Sequence, residues 1–318
     1  MTCRASAAVL LSVFVIAPSA AVSQPAPQPS ARKVRVTAVA VDRDGKPVAD
    51  LRPSELQLWI GIYQVPIETV TFVSSSTGGQ GRFLVLILDD ATMGDFSDPV
   101  MGMRVKEAAR AFVTRMGPDD VMSIVGLDGG FAKPTNDRAV LLQAIERYNP
   151  LGRPRIWFDR MGSHVLQSLT GIARALVEVP GRKTIVGLGA GWIFDLPVPP
   201  PNVGLDLRTE WIAAVRSMAA ADATLYVVDP GGVGRAPFAM GGDNGFARET
   251  GGYAFSNIND ATRAVERIMG ESSTYYVLEA SDPPIGKNTE LREVDVRVSR
   301  KDVTVRARKW IPGGKTVK

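Results

Sequence analysis

Apolar positions change their period twice along the chain. Residues 34–42, VRVTAVAVD, alternate apolar and polar side chains and are rich in Val and Thr, the mark of a half-buried strand. Asp44-Gly45 then supplies a tight-turn pair. Over 51–73, Leu56, Leu58, Trp59, Ile60 and Ile62, then Val65, Ile67, Val70 and Phe72, predict further short strands separated by Gly61 and Pro66. Ser74 to Gly81 is a Ser/Gly/Thr linker. Beyond it the alternation gives way to continuous apolar runs: FLVLILD at 83–89, VMSIVGL at 121–127, TIVGLGA at 184–190 and ATLYVVD at 223–229. Strands buried on both faces have this pattern. Between the runs, apolar residues recur at helical spacing over 100–116, 137–148, 164–177, 207–221 and 259–271. A short helix at 243–250 and a short strand in GYAFS complete the series. From Thr274 the alternation returns in TYYVLEA, REVDVRVS and VTVRARKW, with no helix between them.

Strand and helix alternating five times predict an α/β fold over 81–271, a doubly wound, mostly parallel sheet with helices on both faces and right-handed crossovers. The segments 34–73 and 274–310 predict a smaller β-rich unit formed by the N- and C-terminal parts of the chain; two separate β appendages are the alternative. The start of the chain belongs to neither. Arg4, an apolar stretch at 7–17 and the small residues Ala21-Val22-Ser23 read as a signal peptide over 1–23, cut ahead of Gln24. An uncleaved anchor is the alternative reading. Residues 24–33, rich in Pro, Gln and Ser at their start, read as a linker. No later stretch holds about 18 uninterrupted apolar residues, so no membrane crossing is expected after cleavage. The expectation is an exported protein, periplasmic or secreted.

Composition narrows the function classes. Of 318 residues, 45% are apolar and 22% charged, the balance of an ordinary globular protein. The formal charge is +4, about +3 once Arg4 is removed with the leader, and no basic run carries interleaved aromatics. Nucleic-acid binding is therefore not expected. Cys3 is the only cysteine and lies in the leader, which excludes disulfides, thiol catalysis and thiolate metal sites from the rest. His164 is the only histidine, and no G-x-S-x-G elbow accompanies it, so a capping or surface role is expected. Gly187, Gly189 and Gly191 are followed by Pro197 and Pro199, not by a helix, and no Walker lysine is present. Gly231, Gly232 and Gly234 run into Pro237 in the same way. These absences argue against an α/β hydrolase-type or cofactor enzyme, and neither catalytic residues nor an organic cofactor are expected.

Several segments in order carry a family resemblance: VTAVAVDRDGKPVADLRPSELQLW, FLVLILDD, AARAFVTRMGPDDVMSIVGL, GRKTIVGLGAGW, ATLYVVDP, ETGGYAF and YYVLEASDPP. Together they resemble the von Willebrand factor A-related domain proteins of the Acidobacteria type, over nearly all of 34–310. The resemblance implies a von Willebrand factor A/Rossmann-like fold and a binding role. It also implies a metal-ion-dependent adhesion site: Asp-x-Ser-x-Ser after the first buried strand, a Thr on a later loop and an Asp after the fourth strand. Such hard oxygen ligands suit Mg²⁺, which keeps an open position for a partner's carboxylate. Ligands of open α/β sheets bind beyond the carboxyl ends of the strands.

This chain departs from that pattern. Asp89 matches the leading Asp, but Ala91 and Met93 replace both serines, and Thr92 is one residue out of step. Ser163 keeps a hydroxyl where the resemblance places the loop Thr, and Ala190-Gly191 stands in place of Asp-Gly. The expected site is therefore degenerate, with Asp89 and Ser163 as its remaining metal ligands and Mg²⁺ as the ion it would take; Asp90, Asp128 or Asp159 could compensate in part. Adjacent residues at a strand end point to opposite sides, so Asp89 and Asp90 are not expected to share a substrate. Trp157 and Trp192 fall on loops near the same end; exposed aromatics there would favour a protein or glycan partner, but the residue type favours core packing. The expected binding residues are Asp89, Asp90, Ser163 and Trp192. The expected partner is a protein or envelope component, with a structural role in an envelope assembly as the alternative.

Overall fold

The computed structural model describes residues 33–74, 81–91, 99–127, 129–150, 158–189, 192, 207–232, 242–256, 258–283 and 291–313, with backbone alone at 99, 158–159 and 242–244. Four strands come first: β1 (Lys33–Val41), β2 (Leu56–Ile60), β3 (Tyr63–Val65) and β4 (Ile67–Ser74). The middle of the chain alternates: β5 (Phe83–Leu88), α1 (Pro99–Thr114), β6 (Val121–Val125), β7 (Gly130–Thr135), α2 (Arg138–Arg147), α3 (Phe158–Ala175), β8 (Lys183–Leu188), α4 (Arg208–Ala220), β9 (Ala223–Val228), α5 (Gly242–Glu249), β10 (Ala254–Phe255) and α6 (Thr262–Ser273). Four strands end it: β11 (Thr274–Ser281), β12 (Leu291–Val298), β13 (Thr304–Ala307) and β14 (Trp310–Pro312).

The central sheet runs β10-β9-β8-β5-β6-β7. All neighbours are parallel except β7, which pairs antiparallel with β6. The continuous apolar runs have the predicted cause. Along β5, Leu84, Leu86 and Leu88 face one core with α1, α2 and α6, while Val85 and Ile87 face a second core with α3 and α4. A strand covered on both sides has no polar face to show. Gly130–Thr135 carries no strand signal in the sequence, because Pro134 and its glycines break the pattern. As an edge strand β7 tolerates a proline, which cannot donate to a ladder on both sides.

The two ends of the chain share sheets. β1 pairs with β11 and β13 in a sheet of order β13-β1-β11-β4, and β12 pairs with β2 in a second of order β14-β12-β2-β3. Alternate residues of both sheets, among them Val36, Leu58, Ile60, Leu278 and Val294, meet in one core. The β2–β3 hairpin closes with Gly61-Ile62. Gly61 has φ +61° and opens the two-residue turn, the place where a primed hairpin turn needs positive φ.

These sheets meet the central one at the amino ends of its parallel strands. The Thr37 hydroxyl donates to Asp222, just before β9, at 3.1 Å, and Arg308 pairs with the same carboxylate. Arg82, just before β5, donates to Asp120 through its backbone N–H at 2.8 Å and its Nε at 3.0 Å, and to Ser273 at 3.0 Å. Burial raises the Asp120 carboxyl, but hydrogen bonds from Arg82 and from the Gly117 N–H outweigh it and hold the group below its ordinary value. A carboxyl lowered by folding stabilises above its unfolded value and loses that contribution as pH falls through the folded one. Unfolding free energy should therefore drop on acidification below about pH 4, and Asp120→Asn should flatten that part of the curve. Urea titrations across pH 2–6 check this; an unchanged slope in Asp120→Asn would sink it.

Candidate functional site

With the amino ends engaged, the carboxyl ends are where the chain leaves the sheet for its loops. From β5 the connections diverge, to β6 on one side and, after α2 and α3, to β8 on the other. That is the switch point at which open α/β sheets take ligands. Asp89 and Asp90 follow β5 there directly, and both are buried. The Asp89 N–H donates to the Leu188 carbonyl at 3.0 Å, which extends the β5–β8 ladder by one residue. Its Oδ1 accepts the Ala91 N–H at 3.3 Å, and its carbonyl accepts the Tyr148 hydroxyl at 2.7 Å. The Asp90 Oδ1 accepts the Leu127 N–H at 2.9 Å, which ties β5 to the loop after β6. The Ser168 hydroxyl on α3 donates to the Leu127 carbonyl of that loop at 2.8 Å.

The two carboxylates diverge, as adjacent strand-end residues should. Each lies against a glycine. A Cβ built on Gly189 would sit 2.8 Å from Asp89 Oδ2, and one built on Gly126 would sit 2.5 Å from Asp90 Oδ2. Only residues without a side chain leave room for both acids. Burial, reinforced by the charges of Asp89 and Asp90, pushes the Tyr148 phenol far above its ordinary value, so it stays a neutral donor. Sequence reasoning assigned Tyr148 only to a helix face; nothing in its spacing reveals that its hydroxyl caps the Asp89 carbonyl.

Ser163 and Trp192, the other two expected site residues, lie in a helix and in the core. Ser163 lies inside α3, not on a loop. The apolar stripe of α3 includes Met161, Val165, Leu169 and Ala173, and the helix begins about two turns before Val165. The Ser163 hydroxyl donates to Glu210 on α4 at 3.3 Å and accepts from Gln167 at 3.0 Å; neither bond reaches the β5 carboxylates. Trp192 is 1% exposed, and a Cβ on Gly187 would overlap its indole. Its ring belongs to the core with Leu127, Val165 and Phe246, not to a contact surface. Asp128, the Asp159 side chain, Trp157, Thr92, Met93, Ala190 and Gly191 lie outside the described residues.

Exposed apolar groups flank the same end. α1 begins beyond the carboxyl end of β5, and on its first turns Val100 is 40% and Met103 56% exposed. Arg104 fixes the loop after β9 by donating to the Gly231 carbonyl at 2.7 Å. Among the described residues no group of three or more acidic, histidine or cysteine side chains is placed to hold a metal ion, and no helix is long and apolar enough to cross a membrane.

No protein-family model matches the chain, and no curated relative matches it. Solved structures similar to it include a von Willebrand factor type A protein from Catenulispora acidiphila, at 11% identity and TM-score 0.39, covering 87% of this chain and 73% of that one. The VWA domain of SpRpn10 is similar at 13% identity and TM-score 0.31, covering 46% of this chain and 74% of that one. The pilus adhesin SpaC from Lactobacillus rhamnosus GG is similar at 9% identity and TM-score 0.34, covering 87% of this chain and 49% of that one. Likeness at this level defines no family.

Proposed function

We propose that the chain is an exported von Willebrand factor A-like binding module that takes a protein or envelope component at the carboxyl ends of its parallel strands. The observation that carries this reading is the pair of buried carboxylates, Asp89 and Asp90, at the switch point of the sheet. The exposed Val100 and Met103 beside that end offer apolar contact area for a partner. The contacts of Thr37 and Arg308 with Asp222 hold the sheets of the chain ends at the amino ends of the central strands, opposite these two carboxylates.

Met103→Glu should abolish capture of the partner from immobilised envelope extract while changing stability by no more than about 0.5 kcal/mol. Undiminished capture would overturn the proposal. The metal site is degenerate in this reading: Ala91 supplies no ligand where the resemblance expects a serine, and the Ser163 hydroxyl is directed to Glu210. Calorimetric titration with Mg²⁺ or Mn²⁺ should give no binding tighter than about 1 mM. Sub-millimolar binding that Asp89→Ala removes would show a working site instead.

A further inference from the structure

The seam between the two terminal sheets holds a cleft outside the carboxyl-end site. β12 and β13 follow each other in the chain, yet β12 pairs with β2 and β14 while β13 pairs with β1 alone. The Val294 N–H donates to the Lys309 carbonyl at 2.7 Å and ties the two segments together. Gly251 closes the seam beside that bond. A Cβ built on it would sit 2.9 Å from the Ala307 carbonyl carbon and from the Arg308 nitrogen. The Glu249 carbonyl accepts the Lys309 N–H there at 2.9 Å. What remains is a short cleft of about 330 Å³, lined by Val296, Val305, Ala307, Gly252 and Tyr253, with the exposed Arg248 at its rim. That volume is at the small end of ligand pockets, about 300–1,000 Å³. At about 30 Å³ per water it takes about eleven waters, or a molecule of about ten non-hydrogen atoms.

The lining selects the chemistry of such a molecule. Val296 and Val305 belong to the terminal core, but Val305, Ala307 and Tyr253 are only half-buried. An apolar body in the cleft would complete the burial that the fold leaves open. Most charges around it are already matched. Arg306 holds Glu271, Lys309 holds Glu249, and Asp295 is engaged by Arg297 at 2.7 Å. Arg248 is the exception, since it makes no ion pair among the described residues. Its guanidinium is a planar fork that suits a carboxylate through two parallel hydrogen bonds. One free fork above apolar walls matches a monoanion; the second charge of a phosphate ester would meet no second unpaired cation in the lining.

We infer that this cleft binds a small aliphatic carboxylate, its charged head on Arg248 and its branched chain between Val296, Val305 and Tyr253. The site is independent of the carboxyl-end site and stands whether or not that one binds.

The test titrates the full chain by calorimetry with three probes and follows its backbone amides by NMR. The probes are 4-methylpentanoate, its uncharged amide, and acetate, which keeps the head and lacks the chain. The dissociation constant of 4-methylpentanoate should lie below about 1 mM, with the amide and acetate at least about tenfold weaker. Arg248→Glu should weaken 4-methylpentanoate by about tenfold or more. Amide shifts on binding should centre on Gly252, Val296 and Val305. The inference is overturned if 4-methylpentanoate binds more weakly than about 1 mM, if either other probe comes within about tenfold of it, if Arg248→Glu binds it undiminished, or if the shifts cluster elsewhere. The three probes decide the matter even if Arg248→Glu fails to fold.

Discussion

Replacing Trp192 with alanine should lower the unfolding free energy by about 3–5 kcal/mol, the cost of emptying a buried aromatic site. The indole is 1% exposed and lies over Gly187 near the carboxyl end of β8, on the face shared with α3 and α4. The cavity would open beside β5 and β8, whose ladder cannot collapse to fill it without breaking strand pairing. Gly187→Val should also destabilise, because its Cβ alone would overlap the ring. In the double variant the valine enters the vacated space. A double-mutant cycle should then give a favourable coupling of about 1–3 kcal/mol. Urea denaturation of the four proteins measures it. Strictly additive losses would mean that ring and glycine do not share one space, and an alanine variant of full stability would return Trp192 to the surface.

This residue shows where sequence reasoning stops. The sheet was legible because burial on both faces leaves a signal in one dimension: four apolar runs at strand length, joined by helical spacings. The β segments at the ends were legible for the same reason, through their period of two. For Trp192 the residue type favoured core packing, but a tryptophan between glycines and prolines does not reveal which strand it packs against. Only the absence of a side chain at Gly187, five residues earlier, marks the space it fills. Ser163 was misplaced because Gly162 disguises the first turns of α3. Asp89 and Asp90 were legible as strand-end acids. Their surroundings were not: Gly126, Tyr148 and Gly189 reach them from three other segments, and no local pattern records that.

The contacts that join the sheets were the least visible of all, and they carry the second large effect. Glu271→Ala should cost about 3–5 kcal/mol, because it strips a buried anion from two cations and a phenol. Glu271 is 1% exposed near the end of α6. Its Oε1 accepts Arg267 Nε at 2.9 Å and pairs with Arg306 on β13, and its Oε2 accepts the Tyr226 hydroxyl on β9 at 2.8 Å. Burial first, then the charge of Glu271, pushes that phenol above its ordinary range, so Tyr226 remains a donor at any physiological pH. The pairing partners lie four, 35 and 45 residues away, on a helix, a terminal strand and a central strand. One carboxylate thus couples the central sheet to the sheets built from the chain ends. Its loss should do more than shift a midpoint. Wild-type unfolding is expected to be a single transition, and the variant should unfold in two, the terminal strands exchanging their amides before the central ones. Removing all three charges together, with Glu271→Leu, Arg267→Leu and Arg306→Met, should recover most of the lost stability, since an apolar set avoids the desolvation of the ions. If Glu271→Ala unfolds in one step with a loss under about 1 kcal/mol, the two halves are held by apolar contact alone and the charge cluster contributes no coupling.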